Sequence, residues 1–169
     1  MIHPTRILPV TLSVTLVLAV LACVPSGVHG QASAKAPAGI RQAIQARYNQ
    51  FDHAYMRKDF QSVGKVFTAD CVLKLESENR TMSAPRVVLG MQAVSKALTV
   101  SHARTRILSV QPQGAAYAVS AVWTGDSSFT PAPGTQDDRP RHGKTQQTYQ
   151  DTWKKTGAAW QIVQRIIKG

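Results

Sequence analysis

From Ile40 onward the apolar residues fall at helical spacing. Ile40, Ile44, Tyr48, Phe51 and Tyr55 are separated by four, four, three and four positions and so line one face. Arg41, Gln45, Arg47, Asn49 and Arg57 take the solvent side, which predicts a helix from about Ala38 to Arg57. Asp59 is placed to cap a second, short helix, along which Phe60, Val63 and Phe67 continue the stripe. After Thr68-Ala69-Asp70 the period changes to two. Cys71, Leu73 and Leu75 alternate with Val72, Lys74 and Glu76, a half-buried strand. Glu78–Pro85 is polar and turn-like, Arg86–Leu89 reads as a short strand, and Gly90 opens a third helix with Met91, Val94, Ala97 and Leu98 on its apolar side. The remainder is β in character. Strands are predicted over Thr105–Val110, Ala115–Thr124, Lys144–Lys155 and Trp160–Ile167. They are separated by a turn at Gln111-Pro112-Gln113-Gly114, a loop over Gly125–Gly143 rich in Gly, Pro, Ser and Asp, and a turn at Thr156-Gly157. Tyr117, Val119, Ala121 and Trp123 share one face. Helices first and a run of antiparallel strands afterwards is an α+β layout.

The first thirty residues follow neither period. Ile7 to Ala22 is almost purely apolar, Arg6 precedes it, Pro25 and Gly27 break it, and Val28-His29-Gly30 offers a cleavage site. That arrangement reads as a secretory signal over 1–30. Val20-Leu21-Ala22-Cys23 also resembles a loose bacterial lipobox, so a lipoprotein beginning at Cys23 stands as the alternative. Residues 31–37 form a small, polar tether, and the folded domain is expected over 38–169. The expected setting is the periplasm or the outside of a bacterial cell.

Composition narrows the class. The 169 residues carry a formal charge of +11, from 20 Lys and Arg against 9 Asp and Glu. The bases are spread along the helices, in the loop at Arg139, Arg141, His142 and Lys144, and near the end, without the stripe and interleaved aromatics of a nucleic-acid binder. An anionic envelope surface or an anionic ligand fits this charge better than nucleic acid. If Cys23 leaves with the signal, Cys71 is a lone thiol, expected in the core. His53, His102 and His142 show no metal-ligand spacing with acids or with Cys71, and no phosphate loop, dinucleotide fingerprint or nucleophile elbow is present. No metal and no cofactor is expected.

The order of motifs is more specific than any one of them. A long helix carrying Tyr55-x-x-x-Asp59 is followed by a short helix, Phe67-Thr-Ala-Asp-Cys-Val72 and then Gly90-Met-Gln-Ala-Val94. Strands follow, and the chain ends on Tyr149-x-Asp151-Thr152-Trp153 and Gly157-x-x-Trp160-x-Ile162-Val163. This resembles the nuclear transport factor 2-like superfamily, in its SnoaL-like and ketosteroid-isomerase-like bacterial branch. The resemblance implies a cone: a strongly curved antiparallel sheet wrapped around a long N-terminal helix, with two shorter helices and a pocket at the wide end. It also implies a homodimer paired through the sheets.

The isomerase mechanism does not carry over directly. Asp70-Cys71 matches the family's Asp-Ala pair, and the position of the general base then falls on Leu75, which cannot accept a proton. Glu76, next to it, points to the opposite face. Tyr48 and Tyr55 occupy the helix from which those enzymes recruit an oxyanion donor. Asp151 shares strand parity with Tyr149 and Trp153, so it faces inward if they do. A carboxylate among aromatics can serve as acid or base. The competing role for Asp151 is an ion pair with Arg165 or Arg106. The leading reading is a binding domain for a small, largely apolar molecule, its pocket lined by Tyr48, Tyr55, Leu73, Leu75, Trp123, Tyr149, Asp151 and Trp153. One alternative is an isomerase, cyclase or dehydratase using Asp151 with Tyr48 or Tyr55. Another is a non-catalytic interaction module of the envelope.

Overall fold

The computed structural model describes residues 36–131 and 139–168. The expected signal segment, Cys23, all but the end of the expected tether and part of the predicted loop lie outside the described residues. Among the described residues three helices, α1 (Ala38–Met56), α2 (Phe60–Gly64) and α3 (Ala84–Val94), accompany six strands. These are β1 (Phe67–Leu75), β2 (Arg80–Ser83), β3 (Leu98–Gln113), β4 (Ala116–Phe129), β5 (Arg141–Thr156) and β6 (Ala159–Lys168). They form one curved, unclosed sheet in the order β2-β1-β6-β5-β4-β3. Each neighbouring pair is antiparallel except β1 with β6, which run parallel. This is the α+β cone expected from the sequence.

α1 follows its predicted stripe: Ile44, Tyr48 and Phe51 are buried, and His53 is exposed. Asp59 caps α2 by accepting a hydrogen bond from the Ser62 amide at 3.1 Å. The β3–β4 and β5–β6 hairpins turn at Gly114 and Gly157, whose φ angles of +60° and +61° suit glycine.

Four expectations are corrected. Arg86–Leu89 is not a strand but the middle of α3. Pro85 sits in the first turn, where its missing N–H costs nothing, and Ser83 before it is extended, so the helix starts ahead of Gly90 rather than at it. Consequently Ala97 lies in a turn and Leu98 already begins β3. The polar stretch before α3 contains a strand, β2, because Arg80–Ser83 pairs with Leu75–Val72 across a turn. The Gly125–Gly143 loop is shorter than expected. β4 runs on to Phe129 and β5 starts at Arg141, where Gly125, Ser127 and Ser128 pair with Thr145, Gly143 and His142. Weak strand formers extend a strand here because a long partner already offers its ladder.

β3 lies at the edge of the sheet, where unpaired backbone groups need cover. α1 supplies it. Gln45 donates to the Thr105 carbonyl at 2.7 Å and accepts from the Ile107 amide at 3.3 Å, imitating a neighbouring strand. Arg41 donates to the Ile107 carbonyl at 2.8 Å. Side chains assigned to solvent by their helical phase therefore fix α1 to the sheet.

Candidate functional site

The sheet's concave face is laid out in cross-strand rows. One row carries Val119, Asp151, Arg165 and Leu73 on β4, β5, β6 and β1. The next, toward Trp123, carries Ile107, Ala121, Tyr149, Ile167 and Leu75. Thr105 and Trp123 follow. α1 crosses these rows with Tyr48, Asp52 and Tyr55.

In the first row the Arg165 guanidinium grips Asp151 in a bidentate pair, Nε to Oδ1 at 2.9 Å and Nη2 to Oδ2 at 2.7 Å. The Tyr48 hydroxyl donates to the same Oδ2 at 2.6 Å and accepts from the Trp153 indole at 3.1 Å. All four residues are buried. Aromatic rings replace the water that Arg165 has lost: its guanidinium carbon lies 4.0 Å from the centroid of Tyr149, 5.3 Å from Phe67 and 5.5 Å from Phe51. Burial alone lowers the Arg165 value, but the Asp151 carboxylate outweighs it, and the net direction is upward, so the guanidinium stays charged. Burial, and then the Asp151 charge, pushes the Tyr48 phenol well above its ordinary value. Tyr48 therefore stays a neutral donor. Of the two partners weighed for Asp151, Arg165 is the one in place. Arg106 is exposed on β3.

The sequence missed Asp52. It is buried, and its oxygens accept from the Thr105 amide at 2.6 Å and the Thr105 hydroxyl at 2.9 Å. The signal was present, since Ile44, Tyr48 and Asp52 follow one another at spacings of four, so the stripe that buries the first two also buries the third. Burial raises the Asp52 value, opposed by its bonds to Thr105. The indole N–H of Trp123 lies close enough to favour the carboxylate slightly, yet it makes no hydrogen bond with the described residues.

A folded value above the unfolded one means that the native state holds the proton more tightly. The resulting stability is present at low pH and is lost as pH rises through the folded value. Asp52→Asn keeps an acceptor for the Thr105 amide and adds a donor for its hydroxyl. Its melting temperature relative to wild type is therefore expected to increase as pH rises from about 4 toward 7, starting near the ordinary Asp value. A difference that stays flat with pH contradicts this account of Asp52.

The predicted lining residues divide into two groups. Tyr48, Leu73, Asp151 and Trp153 lie in the main core. Trp123 and Tyr149 belong to a smaller cluster with Ala103, flanked by the half-buried Tyr55, Met56, Val100 and Ile167. Leu75, also half-buried, pairs with Ile167. Trp123 lies against its own strand: its six-membered ring covers Gly125, in the space a Cβ would need. The indole thus plates the wall beside Tyr55, whose ring centroid is 6.3 Å away. Tyr149 donates its hydroxyl to Gln147 at 3.1 Å, whereas the Tyr55 hydroxyl has no partner among the described residues. Burial raises the Tyr55 value, so that hydroxyl keeps its proton. Cys71 lies in the core, and burial pushes its thiol up to about 12, which makes it inert. Glu76 is exposed. Among the described residues no three His, Cys, Asp or Glu side chains are grouped to hold a metal.

Strand order, curvature and the enclosed helix define the nuclear transport factor 2-like fold. Solved structures with this architecture include a conserved protein from Planctomyces limnophilus, with a TM-score of 0.61 and 11% identity over 77% of this chain and 95% of that one. A nuclear transport factor 2-like protein from Cytophaga hutchinsonii is similar at TM-score 0.57 and 12% identity, over 76% and 97%. A ketosteroid isomerase-like protein from Erwinia carotovora atroseptica is similar at TM-score 0.53 and 17% identity, over 75% and 93%. No protein-family model matches the sequence, and no curated protein matches it.

Proposed function

We propose that the domain binds a small, largely apolar molecule against the wall formed by Tyr55, Trp123, Tyr149 and Leu75, and that it works outside the cytoplasm. The observation that carries this reading is the Trp123 indole N–H, which is buried near the Asp52 carboxylate yet has no hydrogen-bond partner among the described residues. Such a group is costly unless something satisfies it. A ligand acceptor would do so, and the Tyr55 hydroxyl, without a partner among the described residues, offers a second polar contact on the same wall. Binding is favoured over turnover because both Asp151 oxygens are already engaged by Arg165 and Tyr48. Asp151, Tyr48, Leu73 and Trp153 then form the floor that holds the wall in place. Export is supported by the Ile7–Ala22 apolar run.

The neutral apolar fluorophore N-phenyl-1-naphthylamine tests the pocket. Its emission is expected to rise and saturate at one molecule per chain, and to weaken at least tenfold when Tyr55→Ala removes part of the wall. A linear, unsaturable response shared by both proteins contradicts the proposal.

Pairing through the convex face is part of the same reading. There, Ser109, Gln111, Ser120, Gln150, Thr152 and Gln164 border a trough of about 430 Å³. These side chains are uncharged on a chain of net +11. A two-fold axis sets each patch against its own copy, so a neutral patch avoids like charges meeting. Light scattering is expected to give twice the chain mass, and Gln150→Lys to reduce it to one. A wild-type monomer contradicts the pairing.

A further inference from the structure

A second feature lies on the outer side of α1, apart from the apolar wall. A groove between α1 and α2 encloses about 460 Å³ and is bordered by Arg47, His53, Arg57 and Lys65 among others. Arg47 is half-buried, and three acceptors hold it in place. Its Nε donates to the Trp160 carbonyl at 3.1 Å, Nη1 to Gln50 Oε1 at 2.6 Å and Nη2 to the Lys65 carbonyl at 3.0 Å. These partners come from β6, α1 and the turn after α2, so the guanidinium is rigidly placed.

All three partners are neutral. No carboxylate among the described residues lies within ion-pair distance of Arg47. The contrast with Arg165, whose charge is met by Asp151, is direct. A guanidinium has five N–H donors, and the bonds to Trp160, Gln50 and Lys65 leave others unused. Arg57 and Lys65 extend the positive surface from the same groove, with His53 on its border, and the side chains of all three make no hydrogen bond or ion pair with the described residues. Asp59 is near enough to feel Arg57 and Lys65, but its carboxylate is already engaged by the Ser62 amide. The carbonyls at the end of α1 are engaged as well: those of His53, Ala54 and Tyr55 accept from the amides of Arg57, Asp59 and Lys58.

We infer that this groove is an anion site in which the fixed Arg47, with Arg57, Lys65 and His53, takes a phosphate group. A preorganised guanidinium presents parallel donors to phosphate oxygens, and flexible cations around it neutralise the second charge. The volume leaves room for more than the phosphate itself. The group could therefore belong to a soluble phosphate ester or to an anionic lipid headgroup, and the charge chemistry is the same for both.

Isothermal titration with inorganic phosphate, against chloride at constant ionic strength, tests the site. Wild type is expected to show saturable one-site binding. The Arg57→Gln/Lys65→Gln double variant leaves the Arg47 scaffold intact and is expected to bind at least tenfold more weakly. Arg104→Gln, an exposed cation on β3, is expected to bind like wild type. A second arm uses sedimentation with vesicles of phosphatidylcholine containing phosphatidylglycerol. Vesicle binding that the double variant loses and Arg104→Gln retains assigns the lipid headgroup. Phosphate binding without vesicle binding assigns a soluble ester. The inference is overturned if phosphate gives no saturable heat, or if Arg104→Gln loses as much as the double variant. Circular dichroism of each variant separates loss of binding from loss of fold.

Discussion

Asp151→Ala is expected to cost about 3–5 kcal/mol of stability, measured as a shift of the urea unfolding midpoint at unchanged slope. The substitution removes a carboxylate that takes two bonds from Arg165 and one from Tyr48. It strands a guanidinium that is only 2% exposed. Three flanking rings can accept part of its charge but none of its hydrogen bonds. A loss of this size is a large share of the roughly 5–15 kcal/mol that holds a typical domain together. The double variant Asp151→Leu/Arg165→Met removes both charges at once and is expected to recover most of the loss, because an apolar pair of similar volume often replaces a buried ion pair without penalty. Recovery stays incomplete, since the Tyr48 hydroxyl keeps its Trp153 donor but loses its acceptor. The double variant also separates structure from chemistry. If Asp151 is a structural floor, the refolded double variant still binds the fluorophore. A variant that folds and has lost binding contradicts that role.

The second large effect is expected at Gly125. A methyl group there would overlap the six-membered ring of Trp123, which is rigid and cannot yield at one end alone. The whole indole must swing away from β4, toward Tyr55 and the space the ligand is proposed to fill. Gly125→Ala is therefore expected to cost about 1–3 kcal/mol as an overpacking substitution. It is also expected to abolish fluorophore binding while circular dichroism still reports a folded sheet. Unchanged affinity in a folded Gly125→Ala protein places the ligand elsewhere.

Much of this arrangement was legible because its periods are strong. The α1 stripe, the Cys71-Leu73-Leu75 alternation and the Tyr117 to Trp123 face each appear in the structure on the side their spacing assigned. Parity with Tyr149 and Trp153 placed Asp151 inward, but the choice of Arg165 over Arg106 as its partner needed the strand register. Other features depend on partners that a linear pattern does not contain. Gly125, Ser127 and Ser128 belong to a strand only because Thr145, Gly143 and His142 lie opposite them. Arg86 to Leu89 has β-branched residues, and Pro85 decided for a helix instead. Gln45, Arg47 and Asp52 were polar residues on a helix. Spacing alone puts Asp52 on the buried stripe, but the partners of all three became visible only when β3 and β6 came alongside.

A small molecule held by the wall around Trp123 would travel with the purified protein. Native mass spectrometry of the purified protein after incubation with cell extract would detect it. A discrete added mass is expected on wild type and on Asp151→Leu/Arg165→Met, and is expected to be absent from Gly125→Ala and Tyr55→Ala. The bare chain mass in every sample, or the same adduct on all four proteins, would contradict it.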